Sequence, residues 1–579
     1  MTTRRNFLGL AGSGLFVLFR IDPLEAMQEP SRLPAGPAYP TDFNAYLRIG
    51  ADGRVTGFAG KVELGQSVTT SLAQMLAEEL DVEFDSIDMV MGDTGLCPYD
   101  MGTFGSMSTR MFGPALRGAA AEARAVLLEM AAERLHAPVD RLRVKAGVVR
   151  DASAPGKRVT YAQLVNGKRI EKHVEKVPLK AAAAFTVMGT SPQRKDAFDK
   201  VTGQARYAAD IRLPGMLYAR VLRPPAHGAA LRQADTSAAE KIDGVRVVRD
   251  GDMVAVLHPL PDVAEMALRA IQAQFQRTQT ELDDKSIFHH LIDHLPAPQL
   301  VGESGSVTEG EKRAAMIFEE TYLNSYVAHA SIETHSAVAK VEDGKVTVWA
   351  STQTPFPLRQ QVSQALGIPT ERVRVIAPYV GGGFGGKSAS QQAIEAARLA
   401  KITGRPVQVV LDRSEEFFYD TFRPAAVVKI RSGLTHEGEI AFWDYQVWGA
   451  GDREAKPFYD IPHQRTRSAG GWQGGNPPGL HPFGIGAWRA PSVNTNTFAR
   501  ESHVELLAGK AGADPVQFRL KHLSDPRMRR ALETVAAKFG WKWAASRTLS
   551  QKTLEQAPPT GTTKPVRYFS RRFKAKPGR

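Results

Sequence analysis

Tyr379-Val380-Gly381-Gly382-Gly383-Phe384-Gly385-Gly386-Lys387-Ser388 places five glycines in ten residues. Arg372–Ala377 before it reads as a strand, and Ala389–Thr403 after it has the spacing of a helix. Glycines in a strand-to-helix turn let the backbone approach a ligand closely. The N–H groups at a helix start suit an anion or an oxo group. Working outward, Val407–Leu411 reads as another strand and Leu358–Leu366 as a helix. Ala337–Val341 and Lys345–Ser351 form a hairpin turned at Asp343-Gly344. Strands and helices interleave, so the fold class is α+β (mixed α/β).

The same alternation continues toward the N-terminus. Phe43–Gly60 reads as a strand pair turning at Asp52-Gly53, and Ser67–Leu80 as a helix on Leu72, Met75, Leu76 and Leu80. Ile87–Met91 is strand-like, Leu116–Leu135 is an Ala-rich helix, and Leu142–Arg150 alternates again. Residues 151–183 are weakly patterned and Lys-rich, which marks a connector. A second unit begins near Thr186, and a third runs from about Ala314 to Trp541. The 579 residues exceed the roughly 250–300 at which single cores stop growing, so several domains are expected.

Composition excludes some chemistry. The single cysteine, Cys97, leaves no internal disulfide framework, Cys₄ zinc site or protein-ligated iron–sulfur cluster within the chain. Any redox centre must therefore be a cofactor held by other groups, with its electron exit on a partner. The net charge is +13, but residues 541–579 alone hold +9, so the body is not read as a nucleic-acid binder. At the other end, Thr3-Arg4-Arg5-Asn6-Phe7-Leu8 precedes an apolar run to Phe19 that is too short for a membrane span of about 20 residues. The paired arginines match a twin-arginine export signal, so the expected location is the periplasm, with membrane contact only through that signal or anchor.

The glycine loop has competing readings. Gly381 to Ser388 fits G-x-x-x-x-G-K-[ST], the phosphate loop of nucleotide hydrolases, and Val407–Asp412 matches the strand and Asp that would hold magnesium. A tight turn with no ligand is the bland alternative. Five other segments bear on the choice: Lys200-Val201-Thr202-Gly203-Gln204-Ala205-Arg206-Tyr207-Ala208-Ala209-Asp210-Ile211, Tyr326-Val327-Ala328-His329-Ala330-Ser331-Ile332-Glu333, Thr352-Gln353-Thr354-Pro355, Ala487-Trp488-Arg489-Ala490-Pro491 and Ala499-Arg500-Glu501. In this order, and with the glycine loop, they resemble the molybdenum hydroxylases, the xanthine dehydrogenase and aldehyde oxidase family. Lys61-Val62-Glu63-Leu64-Gly65-Gln66-Ser67 and Gly102-Thr103-Phe104-Gly105-Ser106-Met107-Ser108 resemble two more of its cofactor segments. Their place at the front of the chain is similar to that in isoquinoline 1-oxidoreductase β-subunits and nicotinate dehydrogenase-like subunits. The resemblance covers about 44–542.

What the resemblance implies is a multidomain molybdopterin-binding hydroxylase subunit with an α/β hammerhead domain. Its divisions would be a signal at 1–26, a linker at 27–43, and a cofactor domain of the second type at 44–150. A connector at 151–183 leads to the hammerhead and linker at 184–310. The first cofactor domain at 311–542 and a basic tail at 543–579 complete it. The implied cofactor is molybdopterin cytosine dinucleotide, whose own sulfurs ligate molybdenum, so no protein side chain is a metal ligand. Gln353 would face an oxo or sulfido ligand, Phe384 and Gly385 would offer N–H groups, and Arg489 would lie nearby. Gly65, Gln66, Gly105, Ser106 and Ser108 would contact the pterin dinucleotide, alongside Gly381, Gly382, Gly383, Gly386 and Lys387 of the loop. The implied reaction hydroxylates N-heterocycles or aldehydes with oxygen from water. Electrons would pass to a small 2Fe–2S subunit and then to cytochrome c.

Two departures qualify this. Ser388 stands where xanthine-oxidising relatives carry a Glu, which argues against xanthine, and His329 and Glu333 read as structural or supporting. The match ends at Phe539-Gly540-Trp541, and the family's G-x-G-E segment with its general-base Glu is not found. The expectation is therefore a truncated or frameshifted chain, inactive or impaired by itself, with a non-catalytic cofactor- or partner-binding remnant as the alternative.

Overall fold

A computed structural model describes residues 15–20, 44–165, 177–277, 282–473 and 476–542. Most of the expected signal, the linker at 27–43 and the tail at 543–579 lie outside them. The described residues form two compact units, Met1–Thr278 with Ala330–Asp420, and Gln279–His329 with Thr421–Arg579. The stretch 311–542 is thus divided between them.

The first unit opens with a four-stranded sheet of β1 (Leu15–Arg20), β2 (Asn44–Ile49), β3 (Val55–Ala59) and β4 (Ile87–Met91), in that order. The backbone of β1, from within the apolar N-terminal run, pairs antiparallel with β2. β3 and β4 are parallel, joined through α1 (Val68–Leu80). Leu72, Leu76 and Leu80 of α1 share a core with Leu116, Ala120, Ala123 and Leu127 of α2 (Gly113–Leu135) and with Leu47, Ile49, Val55 and Ile87 of the sheet. The helix lies so close to the sheet that a Cβ on Gly57 would meet the Leu76 side chain at 2.5 Å.

β5 (Leu142–Lys145), β6 (Val148–Asp151) and β7 (Ala154–Thr160) make a three-stranded meander. The region read as a connector thus begins with structure. Val159, Tyr161, Leu164 and Val165 are buried in the same core as α1 and α2. The exposed Pro155, Gly156, Lys157 and Arg158 break the alternation that would have revealed the strand.

A seven-stranded sheet completes the unit. Its strands are β8 (Leu217–Val221), β9 (Arg246–Asp250), β10 (Met253–His258), β11 (Ser336–Glu342), β12 (Lys345–Ala350), β13 (Val373–Ile376) and β14 (Val407–Val410), in the spatial order β9-β10-β8-β14-β11-β12-β13. The β11–β12 turn has Asp343 and Gly344 at positive φ, as a tight hairpin requires. Leu358, Val362 and Leu366 of α3 (Pro355–Leu366) and Ala393, Ala396, Ala397 and Ala400 of α4 (Gln391–Thr403) cover this sheet. The loop after β4 is tied to β13: Arg374 bonds to both Asp93 oxygens, and Thr94 exchanges hydrogen bonds with Val375.

The second unit has its own five-stranded sheet, in the order Gln299–Ser304, Gln464–Ala469, Ile440–Trp448, Ala426–Leu434 and Met316–Asn324. Its core joins Ile430, Trp443 and Tyr445 to Ala499, Val504, Leu507 and Ala508 of α5 (Val493–Lys510). No helix among the described residues is long and apolar enough to cross a membrane.

Candidate functional site

β13 leads into the glycine loop, which closes in a short turn, Gly386–Ser388, before α4. Three loop residues lie at positive φ: Gly382 (90°), Phe384 (58°) and Gly385 (116°). The left-handed region disfavours a residue with a side chain, so Phe384 must be held there by its surroundings. Gln353 does much of the holding. Its Oε1 accepts from the Gly385 N–H at 2.9 Å, and its own backbone N–H donates to the Lys387 carbonyl at 2.8 Å. Phe384 is left 41% exposed, with its ring edge lying against Gly382 of the same loop.

Lys387 decides between the loop's competing readings. A phosphate loop needs this ammonium beside the nucleotide, whereas here the side chain is buried and Nζ lies 2.7 Å from Glu333 Oε2. Burial pushes the Lys387 amine below its ordinary value, while Glu333, and then Glu416 and Asp420, act in the opposite direction. Asp412, the other half of that reading, caps the helix Arg413–Tyr419 in a reciprocal box with Glu415. The phosphate-loop reading therefore loses both its cation and its magnesium carboxylate.

Two segments far away in sequence meet the loop. The Val62 N–H donates to Thr103 Oγ1 at 2.8 Å, the Thr103 N–H donates to the Gln353 carbonyl, and Gln353 Nε2 donates to the Thr103 carbonyl at 2.9 Å. Lys61, fully buried, donates to Asp100 Oδ1 at 2.9 Å and to the Gly102 carbonyl at 2.8 Å. Burial pushes the Asp100 carboxyl up, and its Oδ2 is buried without a hydrogen-bond partner. The entrance to the loop is also tied down: the Tyr379 N–H donates to the Arg206 carbonyl, and Tyr207 forms a bridge with Tyr379.

The expected cofactor residues of this unit fall into two groups. The Gln66 amide closes its own turn, accepting from Leu64 N–H at 2.6 Å and donating to the Val62 carbonyl at 3.1 Å. Gly386 and Lys387 are likewise engaged within the loop and with Glu333. Gly105 and Ser106 are exposed, with φ of 64° and 56°, and Ser108 starts the turn into α2. Gly65 (φ 102°) has no atom within 4 Å of where a Cβ would stand. The open space at Gly65 and the exposed backbone of Gly105 and Ser106 fit a cofactor held by backbone and hydroxyl groups. Among the described residues no group of three or more His, Cys, Asp or Glu is disposed to hold a metal ion.

Several contributors went unassigned in the sequence. Glu63 accepts from Gly65 N–H, Ser67 N–H, Thr69 N–H and Thr69 Oγ1 within 3.0 Å, and so shapes the turn into α1. Lys61, Asp100 and Thr103 join the two front segments. A lysine among apolar neighbours, Phe58-Ala59-Gly60-Lys61-Val62, was the available signal for a buried partner.

Arg489 belongs to the second unit. Its backbone is at φ 36°, and its guanidinium lies 5.3 Å from the centre of the Trp488 ring. Trp488 Nε1 donates to the Ala328 carbonyl at 3.0 Å, and His329 Nε2 lies 2.7 Å from the Ala487 carbonyl. His329 thus fastens one sequence motif to another. Arg423 stands 5.1 Å from the Trp488 ring, with its Nε buried and unpartnered, and burial lowers its pKa to about 10.

Two family models of a molybdopterin cofactor-binding domain match the chain, one over residues 26–212 and one over 293–456. The chain is 33% identical over 533 residues to the nicotinate dehydrogenase B chain of Pseudomonas putida, covering 86% of this chain and 44% of that protein. It is 28% identical over 618 residues to the isoquinoline 1-oxidoreductase β-subunit of Brevundimonas diminuta, covering 93% and 78%. CO dehydrogenase from Oligotropha carboxidovorans shares the fold, with a TM-score of 0.52 at 20% identity over 64% of this chain and 55% of that one. With two cofactor-binding domains matched and their glycine-rich segments joined in the structure, the chain belongs to the molybdenum hydroxylase family.

Proposed function

We propose that this chain is the cofactor-binding part of an exported molybdenum hydroxylase that oxidises N-heterocycles or aldehydes. The observation that carries this reading is the meeting of residues 102–108 and 381–387 on Gln353 through direct hydrogen bonds, with 61–67 joined to them through the Val62–Thr103 bond. When bound, molybdopterin cytosine dinucleotide supplies a two-electron oxidation in which water provides the new hydroxyl oxygen: R–H + H₂O gives R–OH with two protons and two electrons. The electrons go to a small 2Fe–2S partner and onward to a cytochrome c.

The chain's own residues bind and orient. Gly65, Gly105, Ser106 and Ser108 are suited to hold the pterin dinucleotide at an open, polar wall, and Gln66 keeps the first of these turns in shape. Gln353 places the loop through its Oε1, which accepts from the Gly385 N–H. The exposed Phe384 ring offers an apolar face to a planar substrate. N-heterocycles are favoured because the two relatives named above carry nicotinate and isoquinoline in their names. Ser388 in place of a purine-holding Glu supports a substrate other than xanthine. The paired Arg4-Arg5 supports folded export to the periplasm.

The test is metal and nucleotide analysis of the full chain expressed with its genomic neighbours, followed by dye-linked oxidation of isoquinoline, nicotinate and an aldehyde. Molybdenum with released CMP is the expected result, and dye-linked turnover by the chain by itself is expected to be absent or severely impaired, since the family's general-base Glu segment is not found in it. Protein purified without molybdenum under conditions that load a known hydroxylase would overturn it.

A further inference from the structure

The geometry points to Glu333 as a positioning residue that clasps the two ends of the glycine loop and thereby sets the loop's shape against the cofactor; the inference rests on the cofactor reading of that loop. A single carboxylate oxygen serves both ends. Glu333 Oε2 accepts from the Gly381 N–H at 2.8 Å, where the loop begins, and from Lys387 Nζ at 2.7 Å, where it ends. The Glu333 N–H donates in return to the Gly381 carbonyl at 3.2 Å, and Ser336 Oγ donates to Oε1 at 3.3 Å. The fit at Gly381 is close enough that a Cβ there would stand 2.5 Å from the Glu333 Cβ.

Between these two anchors lie the three positive-φ residues, Gly382, Phe384 and Gly385. A chain closed at both ends has few ways to relax, so the clasp keeps Phe384 in a conformation it would otherwise leave. It also fixes where the Gly385 N–H meets Gln353 Oε1. The charges facing Lys387 are accounted for: Glu333 bonds to it directly, while Glu416 Oε2 is already bound to His335 through both its backbone N–H (2.8 Å) and its Nδ1 (2.9 Å). Asp420 adds a further, weaker negative field at the amine. The core of the seven-stranded sheet is built from other residues, so the clasp controls the loop more than the fold.

The experiment uses the full chain expressed with cofactor supply, as wild type, Glu333→Gln/Lys387→Met and Lys387→Arg. The double variant removes both charges at nearly constant shape, which avoids stranding a buried ion. Molybdenum content, the Mo(V) electron paramagnetic resonance spectrum and hydrogen exchange at 381–387 are read on each. Loss of a residue that positions a cofactor-facing group is expected to lower molybdenum content about 10-fold. The residual Mo(V) signal should broaden and exchange at 381–387 should speed up, with far-UV circular dichroism unchanged. Lys387→Arg, which keeps the charge-assisted bond, should retain most of the metal and the narrow signal. A folded double variant with wild-type molybdenum, spectrum and exchange would overturn the clasp. Wild type without molybdenum would instead overturn the cofactor reading. Exchange at 381–387 would still decide the clasp in that case: faster in the variant supports it, unchanged refutes it. Should the double variant not fold, Lys387→Arg decides: a narrow signal and full metal support the clasp, and their loss refutes it.

Discussion

A methyl group on residue 383 would stand 2.8 Å from the Gln353 amide carbon, closer than packed atoms allow. Gly383→Ala must therefore push Gln353 away from both Thr103 and Gly385. Overpacking of this kind costs about 1–3 kcal/mol. The expected outcome is that loss in urea denaturation, together with reduced molybdenum content. A second residue-level expectation concerns His503, whose Nδ1 meets Tyr322 OH at 3.0 Å and whose Nε2 meets Ser432 Oγ at 2.7 Å. Burial lowers its pKa to about 3, so it stays neutral in the fold. The unfolded chain takes up a proton there below about 6.5. Between those values the unfolded state holds more protons, and stability falls as pH falls. Replacing His503 with Gln should flatten the decline in melting temperature between pH 7 and pH 4.5; an unchanged slope would reject this assignment. Gln353 was legible as a candidate site residue because it stands in a motif. The part played by Glu333 was not, since it depends on a carboxylate reaching an amine 54 residues along the chain.

At the scale of elements, hydrophobic period was a sound guide. The strand read at Ile87–Met91 forms over those residues, and the helix read at Ser67–Leu80 starts one residue later, at Val68. What the period did not reveal is how α1 begins. Ser67 sits at its start with φ 64° and makes no side-chain cap, while Glu63 caps the turn from outside the helix. Hydrogen bonds to a charged acceptor are worth about 1.5–3 kcal/mol. Glu63→Ala should therefore destabilise the first unit by roughly 2 kcal/mol in chemical denaturation. A change below about 0.5 kcal/mol would mean that water replaces the carboxylate. β7 and the helix Tyr161–Val165 escaped the reading because their burial depends on a core built by residues much earlier in the chain.

At the scale of the whole molecule, the described units are discontinuous in sequence. The seven-stranded sheet takes β8–β10 from before residue 278 and β11–β14 from after 330. β8 hydrogen-bonds to β14, so a fragment 1–278 would expose an unpaired strand edge and the apolar face of Leu217, Ala219 and Val221. Such a fragment is expected in the insoluble fraction, with solubility recovered on co-expression of 330–420. A soluble, monomeric 1–278 by size-exclusion chromatography would contradict this topology. The amino-acid sequence by itself determined the alternation of strands and helices, the glycine-rich segments and the family resemblance, because period, turn chemistry and motif spacing are local properties. The tertiary structure alone decided that Lys387 is a buried ion-pair partner rather than a phosphate ligand. It also decided that Gln353 binds Thr103 and Gly385 together, and that residues 311–542 are shared between two units. Those outcomes depend on which groups lose water together and which carboxylate lies within reach, and chain order does not encode either distance.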